Sequence, residues 1–212
     1  MRVLVTAGGT REPVDDVRVI ANTSTGRLGA RIADAASAAG HEVLLLHGVL
    51  AVRPASARVR REAFDSAADL ARLLDRHAPR SDAVIHAAAV SDYVPVRAAG
   101  KLASDLPELT LRLVRAPKLV DRLRELQPEA LLVAFKLTSG ADEGAMLEAA
   151  RALLQRARLD AVVVNDAAHT EEEDHEALLV NATEVLARCR GKERIAQAVT
   201  ALLAGRAGAA TP

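Results

Sequence analysis

Short, almost unbroken apolar runs alternate along this chain with longer stretches whose apolar residues recur at helical spacing. Residues 3–6, 42–46, 83–86, 131–135 and 161–164 read as strands, each bounded by Gly, Asp or polar residues. Residues 27–39, 66–77, 117–126, 141–157 and 192–203 read as the helices between them. A strand that is apolar on both faces must be covered on both faces, as in parallel sheets. Strand–helix alternation of this kind predicts a Rossmann-like, doubly wound α/β domain: a mainly parallel sheet with helices on both faces. We read residues 1–204 as one such domain, 177–180 as a further strand, and 205–212 as a disordered tail.

Composition narrows the partners. Lys+Arg and Asp+Glu balance to a formal charge of +0, so no basic face points to nucleic acid. Aromatic residues are 1% of the chain, too few for stacking platforms. Cys189 is the only cysteine, which excludes an internal disulfide and a multi-cysteine zinc site; its segment, ATEVLARCRG, reads as helix or turn. No apolar run has the length of a membrane span, and the chain begins at Met1 directly in a strand. The expectation is a soluble, cytoplasmic protein without membrane or nucleic-acid partners.

Ligands of open α/β sheets sit at the carboxyl ends of the strands. Small and polar residues follow the strands there: Gly8, Gly9 and Thr10; Ala87 to Asp92; Lys136; Asn165 and Asp166. The glycines permit close backbone approach, or simply a tight turn. Asn22 to Gly29 (NTSTGRLG) stands where the first helix begins, so its hydroxyls are expected to cap the helix and its glycines to admit a phosphate. Two stretches interrupt the rhythm: a polar link over 10–24, and residues 94–114, read as a mobile loop carrying Lys101 followed by a short strand over 109–113. Lys101 and Arg18 are each either anion ligands or ordinary solvated cations. His169 and His175 flank an acidic run, where a solvated loop is favoured over a metal site. Neither GxxxxGK[ST] nor GxGxxG occurs, and Leu46-His47-Gly48 replaces the acidic residue that a dinucleotide ribose would need.

VTAGGTREPVDDVRVIANTSTGRLG and AAAVSDYVP, with FKL at 135–137 and VVNDA at 163–167, resemble the phosphopantothenate–cysteine ligases in that order and over nearly the whole chain. The resemblance implies a ligase of coenzyme A biosynthesis that activates 4′-phosphopantothenate as an acyl-nucleotide and then couples it to cysteine. It implies Asn22 and Lys101 as catalytic residues; Gly8, Gly9, Ser24, Gly26, Gly29, Asp92, Phe135 and Asn165 as nucleotide contacts; and Arg18, Asn22, Ala88, Ala89 and Asp92 as contacts to phosphopantothenate. Mg²⁺ would accompany CTP, favoured over ATP, with metal ligands unassigned. A homodimer is implied, in which Arg18 serves its own or its partner's site. Many bacterial members are fused to a flavin-dependent decarboxylase; this chain resembles the free-standing form and is expected to bind no flavin. A lone Lys101 replaces the lysine-rich loop of the fused enzymes, and Phe135-Lys136-Leu137-Thr138 replaces their FAAET-like segment. Other readings are an NAD(P)-dependent reductase, disfavoured by the missing fingerprint and the lack of a YxxxK pair after Tyr93, and a nucleotide sensor without catalysis.

Overall fold

The structure, a computed structural model, describes residues 1–103, 105, 107–170 and 175–209. Its elements in chain order are β1 (Arg2–Ala7), β2 (Arg11–Pro13), β3 (Val19–Ala21), α1 (Arg27–Ala38), β4 (Glu42–Gly48), β5 (Arg60–Phe64), α2 (Ala67–His77), β6 (Ala83–His86), β7 (Tyr93–Pro95), β8 (Leu113–Arg115), α3 (Leu119–Leu126), β9 (Leu131–Thr138), α4 (Glu143–Ala157), β10 (Ala161–Asp166), β11 (Glu176–Val180), β12 (Val185–Arg190) and α5 (Lys192–Ala209). No helix among the described residues is long and apolar enough to cross a membrane.

Eight strands form one sheet in the order β12-β11-β10-β9-β6-β1-β4-β5. The six from β5 to β10 pair in parallel, while β11 and β12 add an antiparallel edge. Numbered along the chain, the parallel strands run 3-2-1-4-5-6, the order of a doubly wound dinucleotide-type fold. Strand alternation divides the core into two layers. Val3, Val5 and Ile85 pack towards α1 and α5, whereas Leu4, Val84 and Leu132 pack towards α2, α3 and α4. Both layers are fully buried, so the strands read as continuous apolar runs.

Two strands differ from the reading of the sequence. The segment around Cys189 is β12, whose exposure alternates with period two, and not a helix or turn. β5 is an edge strand carrying Arg60 and Arg61, charges that blunt an exposed edge and also hide the strand from an apolar pattern. The polar link over 10–24 contains the hairpin β2–β3, and β7 pairs with β8 in a second ribbon. The short strand expected over 109–113 lies instead at Leu113–Arg115. Leu109 and Leu111 alternate as a strand would, but both are exposed and neither has a strand to pair with among the described residues. α5 stays helical to Ala209, through part of the tail read as disordered; residues 210–212 lie outside the described ones. So do residues 171–174, the acidic run between the two histidines.

Candidate functional site

The chain leaves β1 towards one side of the sheet and β6 towards the other, which opens a crevice at their carboxyl ends. Backbone and short side chains stitch its floor. The Ala89 amide donates to the Gly8 carbonyl at 2.9 Å, and the Thr10 amide donates to the Ala89 carbonyl at 3.1 Å. Thr10 Oγ1 accepts the Ser91 amide at 3.1 Å and lies 3.0 Å from Ser91 Oγ. Asn22 joins the same knot: its Nδ2 donates to Ala89 O at 2.8 Å and to Ser91 Oγ at 3.3 Å. A Cβ on Gly9 would stand 2.7 Å from the Asn22 carbonyl, so Gly9 is what lets Asn22 close over the floor.

Beneath the floor lies His86, which the sequence reading did not single out. Its Nδ1 is 3.0 Å from Thr6 Oγ1, which also accepts the Ala88 amide at 3.1 Å. Burial pushes His86 down to about 4, so the ring is neutral at physiological pH. A neutral ring whose Nδ1 accepts the Thr6 hydroxyl proton fits this geometry, and it anchors the Ala88–Ala89 backbone from below.

The crevice has two lobes that share Ala88, Ala89, Phe135 and Leu137. The larger, about 650 Å³, is bounded by residues 22–29 on one side and by Asn165, Thr170, His175 and Lys192 on the other. Gly26, at φ 72°, is the N-cap of α1 and supplies no side-chain cap. The expected hydroxyl capping is therefore absent: the nearest group, Thr25 Oγ1, stands 3.5 Å from the Arg27 amide. A left-handed glycine turns the chain where a β-carbon would meet Ala51 Cβ at 2.7 Å, and the first turn of α1 faces the lobe. Such amides suit an anion. His175 is buried here, so the solvated-loop reading does not hold for it.

The smaller lobe, about 450 Å³, gathers Asp92, Lys118, Lys136 and Arg156. Asp92 pairs with Lys118 at 2.5 Å, and Arg156 with Asp121 at 3.0 Å. Lys136 forms no ion pair among the described residues and faces this lobe from the end of β9. Lys118 stands at the N-cap of α3, and the sequence reading did not single it out.

Arg18 and Lys101 are not among the lining residues of either lobe. Arg18 meets instead the segment on which Lys101 stands, through Asp15 and Leu102. Asp15, with a fully buried side chain, accepts the amides of Val17 (2.8 Å), Arg18 (2.7 Å) and Leu102 (3.0 Å), and the Arg18 guanidinium at 2.5 Å. Arg18 Nη1 also donates to the Leu102 carbonyl at 3.2 Å. Burial pushes the Asp15 carboxyl up, but the Leu102, Val17 and Arg18 amides and the Arg18 side chain outweigh it and hold the group at about 2. The Asp16 amide donates to Gly100 O at 3.2 Å, and the Ala98 amide to Val14 O at 2.9 Å. Residues 98–102 are thus fastened to the β2–β3 hairpin. Lys101 itself is exposed.

Residues 1–205 match the family described as DNA/pantothenate metabolism flavoprotein C-terminal domain. The bifunctional coenzyme A biosynthesis protein CoaBC of Thermococcus kodakarensis is 38% identical over 182 residues, 84% of this chain and 44% of that protein. The chain therefore spans under half the length of this curated relative. The crystal structure of the DNA/pantothenate metabolism flavoprotein from Streptococcus pneumoniae superposes with a TM-score of 0.92 at 28% identity, covering 97% of this chain and 99% of that one. The C-terminal domain of a CoaBC protein does so at 0.81 and 26%, covering 98% and 95%. With nearly all of its length matched in sequence and its sheet order and crevice in place, the chain belongs to the DNA/pantothenate metabolism flavoprotein C-terminal domain family.

Proposed function

We propose that this chain is a phosphopantothenate–cysteine ligase. A nucleoside triphosphate activates the phosphopantothenate carboxylate as an acyl-nucleotide with release of pyrophosphate; the amine of cysteine then displaces the nucleoside monophosphate. One observation carries the reading: two lobes meet over a floor made by the two motifs on which the resemblance rests, with Asn22 at their junction. Two large anionic substrates need separate lobes and one shared wall at which a carboxylate meets an α-phosphorus. No covalent enzyme intermediate is required, since positioning and charge stabilisation act on bound partners.

The nucleotide contacts we propose are Gly8, Gly9, Ser24, Gly26, Gly29, Phe135, Asn165 and Asp92; Ala88, Ala89 and Asn22 would meet the acyl substrate. The role we propose for Asn22 is to hydrogen-bond the acyl intermediate through its Oδ1, since its Nδ2 is held on the Ala89 carbonyl and Ser91 Oγ. Gly29 serves this site through packing as well, because its Cα lies against Ala7. CTP is the proposed nucleotide, with ATP as the other candidate. No group of three or more His, Cys, Asp or Glu side chains forms a metal cluster among the described residues. Mg²⁺ is proposed to accompany the nucleotide with its protein ligands unassigned; bound with the triphosphate, it would balance phosphate charge.

A homodimer belongs to the same proposal. Val17, Val19, Tyr93, Val96, Leu113 and Val114 stand exposed on the two hairpins, apolar surface that a second copy would cover in part. Arg18 and the Lys101 segment ride on these ribbons, which gives them a route to a partner's crevice. Because cysteine and the nucleotide are cytoplasmic metabolites, the proposed location is the cytoplasm.

A reductase reading finds no support at the end of β4, where His47 Nδ1 lies 2.9 Å from the Gly48 carbonyl and no carboxylate is present to hold a ribose. The deciding assay incubates the chain with phosphopantothenate, Mg²⁺ and either CTP or ATP, and follows pyrophosphate before and after cysteine is added. No pyrophosphate with either nucleotide would refute the ligase.

A further inference from the structure

The bottom of the smaller lobe holds a polar group that none of the motifs includes. His86 closes β6, and strand alternation turns its side chain, like that of Val84, towards the face covered by α2, α3 and α4. The smaller lobe opens on that face, between Leu119 of α3 and Leu153 of α4, and His86 lines it at only 6% exposure.

The hydrogen bonds around the ring fix which nitrogen carries its proton. Thr6 Oγ1 accepts the Ala88 amide, and its own proton has one acceptor among the described residues, His86 Nδ1. With Nδ1 occupied as an acceptor, the proton of the neutral ring stands on Nε2. Nε2 makes no hydrogen bond among the described residues, yet it is not one of the polar atoms that are both unpartnered and sealed from solvent. Its N–H is therefore open to the lobe, and a buried donor of this kind costs stability unless an acceptor enters the cavity.

The surroundings select the kind of acceptor. The other buried residues lining the lobe, Leu119, Ala134 and Leu153, are apolar. Its charges stand nearer the solvent, with Asp92 and Arg156 exposed and Lys118 and Lys136 half-buried. A phosphate or carboxylate drawn to the bottom would exchange water and those cations for one neutral donor, at a cost. An uncharged carbonyl oxygen or ring nitrogen loses far less water on entering and gains the bond.

We propose that His86 is a substrate-binding residue whose Nε2–H donates to an uncharged acceptor, a carbonyl oxygen or ring nitrogen, on the part of a substrate lodged in the smaller lobe. The inference deepens the ligase reading and rests on it, because each proposed substrate carries such a group: the base of the nucleotide and the amide of phosphopantothenate.

Two substitutions separate this contact from simple support of the floor. In His86→Asn the carboxamide oxygen can take the place of Nδ1 and accept from Thr6, but no donor remains at the Nε2 position; His86→Gln does the reverse. The test is calorimetric binding, which needs no turnover, of phosphopantothenate, CTP, ATP and inorganic triphosphate to wild type and both variants, with Mg²⁺ present. Loss of one neutral hydrogen bond predicts that His86→Asn binds the substrate held in the lobe about 3- to 10-fold more weakly, with His86→Gln recovering most of the loss. Weakening towards phosphopantothenate alone assigns the acceptor to its amide; weakening towards a nucleotide, with inorganic triphosphate unaffected, assigns it to the base. If His86→Asn matches wild type for every ligand, or if His86→Gln is the weaker binder of the two, His86 only supports the floor; the contact is overturned and the ligase stands. Equal weakening towards both substrates, or towards inorganic triphosphate, would overturn the contact too. Wild-type protein that binds none of these ligands would overturn the ligase reading as well. Should neither variant fold, wild-type protein carrying isotope-labelled histidine takes their place. The Nε2 proton resonance of His86 must then shift and gain protection from exchange with one substrate, and a resonance unmoved by every substrate overturns the proposal.

Discussion

Replacing Gly29 by alanine tests how tightly the anion-facing end of α1 is held against β1. A β-carbon there would lie 2.5 Å from Ala7 Cβ, 3.2 Å from Ala7 Cα and 3.3 Å from the Thr6 carbonyl. Carbon atoms prefer about 3.5–4.0 Å, so the start of the helix must retreat by roughly 1 Å. Overpacking of this kind costs about 1–3 kcal/mol, while the helix gains about 1 kcal/mol from losing a glycine. The net loss is therefore about 0–2 kcal/mol, a fall in Tm of up to roughly 8 °C for a chain of this size. Activity should suffer far more. Gly29 is the third residue of α1, and a 1 Å displacement of the amides beside it lowers turnover by about 100-fold if they position a substrate. Thermal melts and pyrophosphate release, measured on one preparation, give both numbers. A Gly29→Ala protein with full turnover, whatever its Tm, would refute the argument that this helix end is part of the site.

Three further outcomes follow from the same contacts. Asp15→Asn should speed hydrogen exchange at the Leu102 amide and lower turnover without displacing the β1–β6 floor, because Asp15 is what joins Arg18 to the Lys101 segment; unchanged exchange would remove the clamp between hairpin and loop. On acidification, stability should fall in two windows. His86 stays neutral in the fold down to about 4, whereas the unfolded chain takes up its proton near 6.5, so stability declines as pH drops from 6.5 to 4. Asp15 and Asp166, both held at about 2, contribute above the ordinary 3.8 and lose that contribution as pH falls towards 2. His86→Asn should flatten the first window and spare the second, as read by denaturant titrations across pH; a slope unchanged between 6.5 and 4 would refute the assignment. Finally, Asn22→Ala should release pyrophosphate yet form little cysteine adduct, and Lys101→Ala should lower turnover more than nucleotide affinity, both read by following the two half-reactions separately.

The parallel sheet was legible because burial on both faces leaves the same mark in every strand. Val3, Val5 and Leu4 serve opposite layers, yet all are apolar, and Ala83–His86 and Ala161–Asp166 repeat the pattern. Elements buried on one face or on none were hidden. β12 alternates arginines with small residues, and in a chain rich in Arg and Ala that alternation passes for helix. β5 shows only Phe64 as a deeply buried side chain.

Within the site, residues fixed by backbone position were the easiest to find, since whatever follows a parallel strand must stand at the crevice; Ala88, Ala89, Phe135 and Asn165 all line it. Lys118, Lys192 and His175 line it too, but each is brought there by a helix start or an edge strand whose direction no local pattern encodes. The long motif carried another kind of ambiguity. Its acidic residues look like candidate ligands, yet Glu12 accepts the Ala67 amide at the start of α2 at 3.0 Å and Asp15 builds the hairpin turn. A carboxylate that saturates backbone amides and one that waits for a substrate look identical as letters. They separate only when the donors around them are known, and Asp166 makes the same point: it stands at a strand end, where a ligand contact is expected, but Ala168, Ala141 and Thr138 already occupy its oxygens. By that standard the Asn165 carboxamide one residue earlier, buried and still open to the cavity, is the stronger candidate of the two.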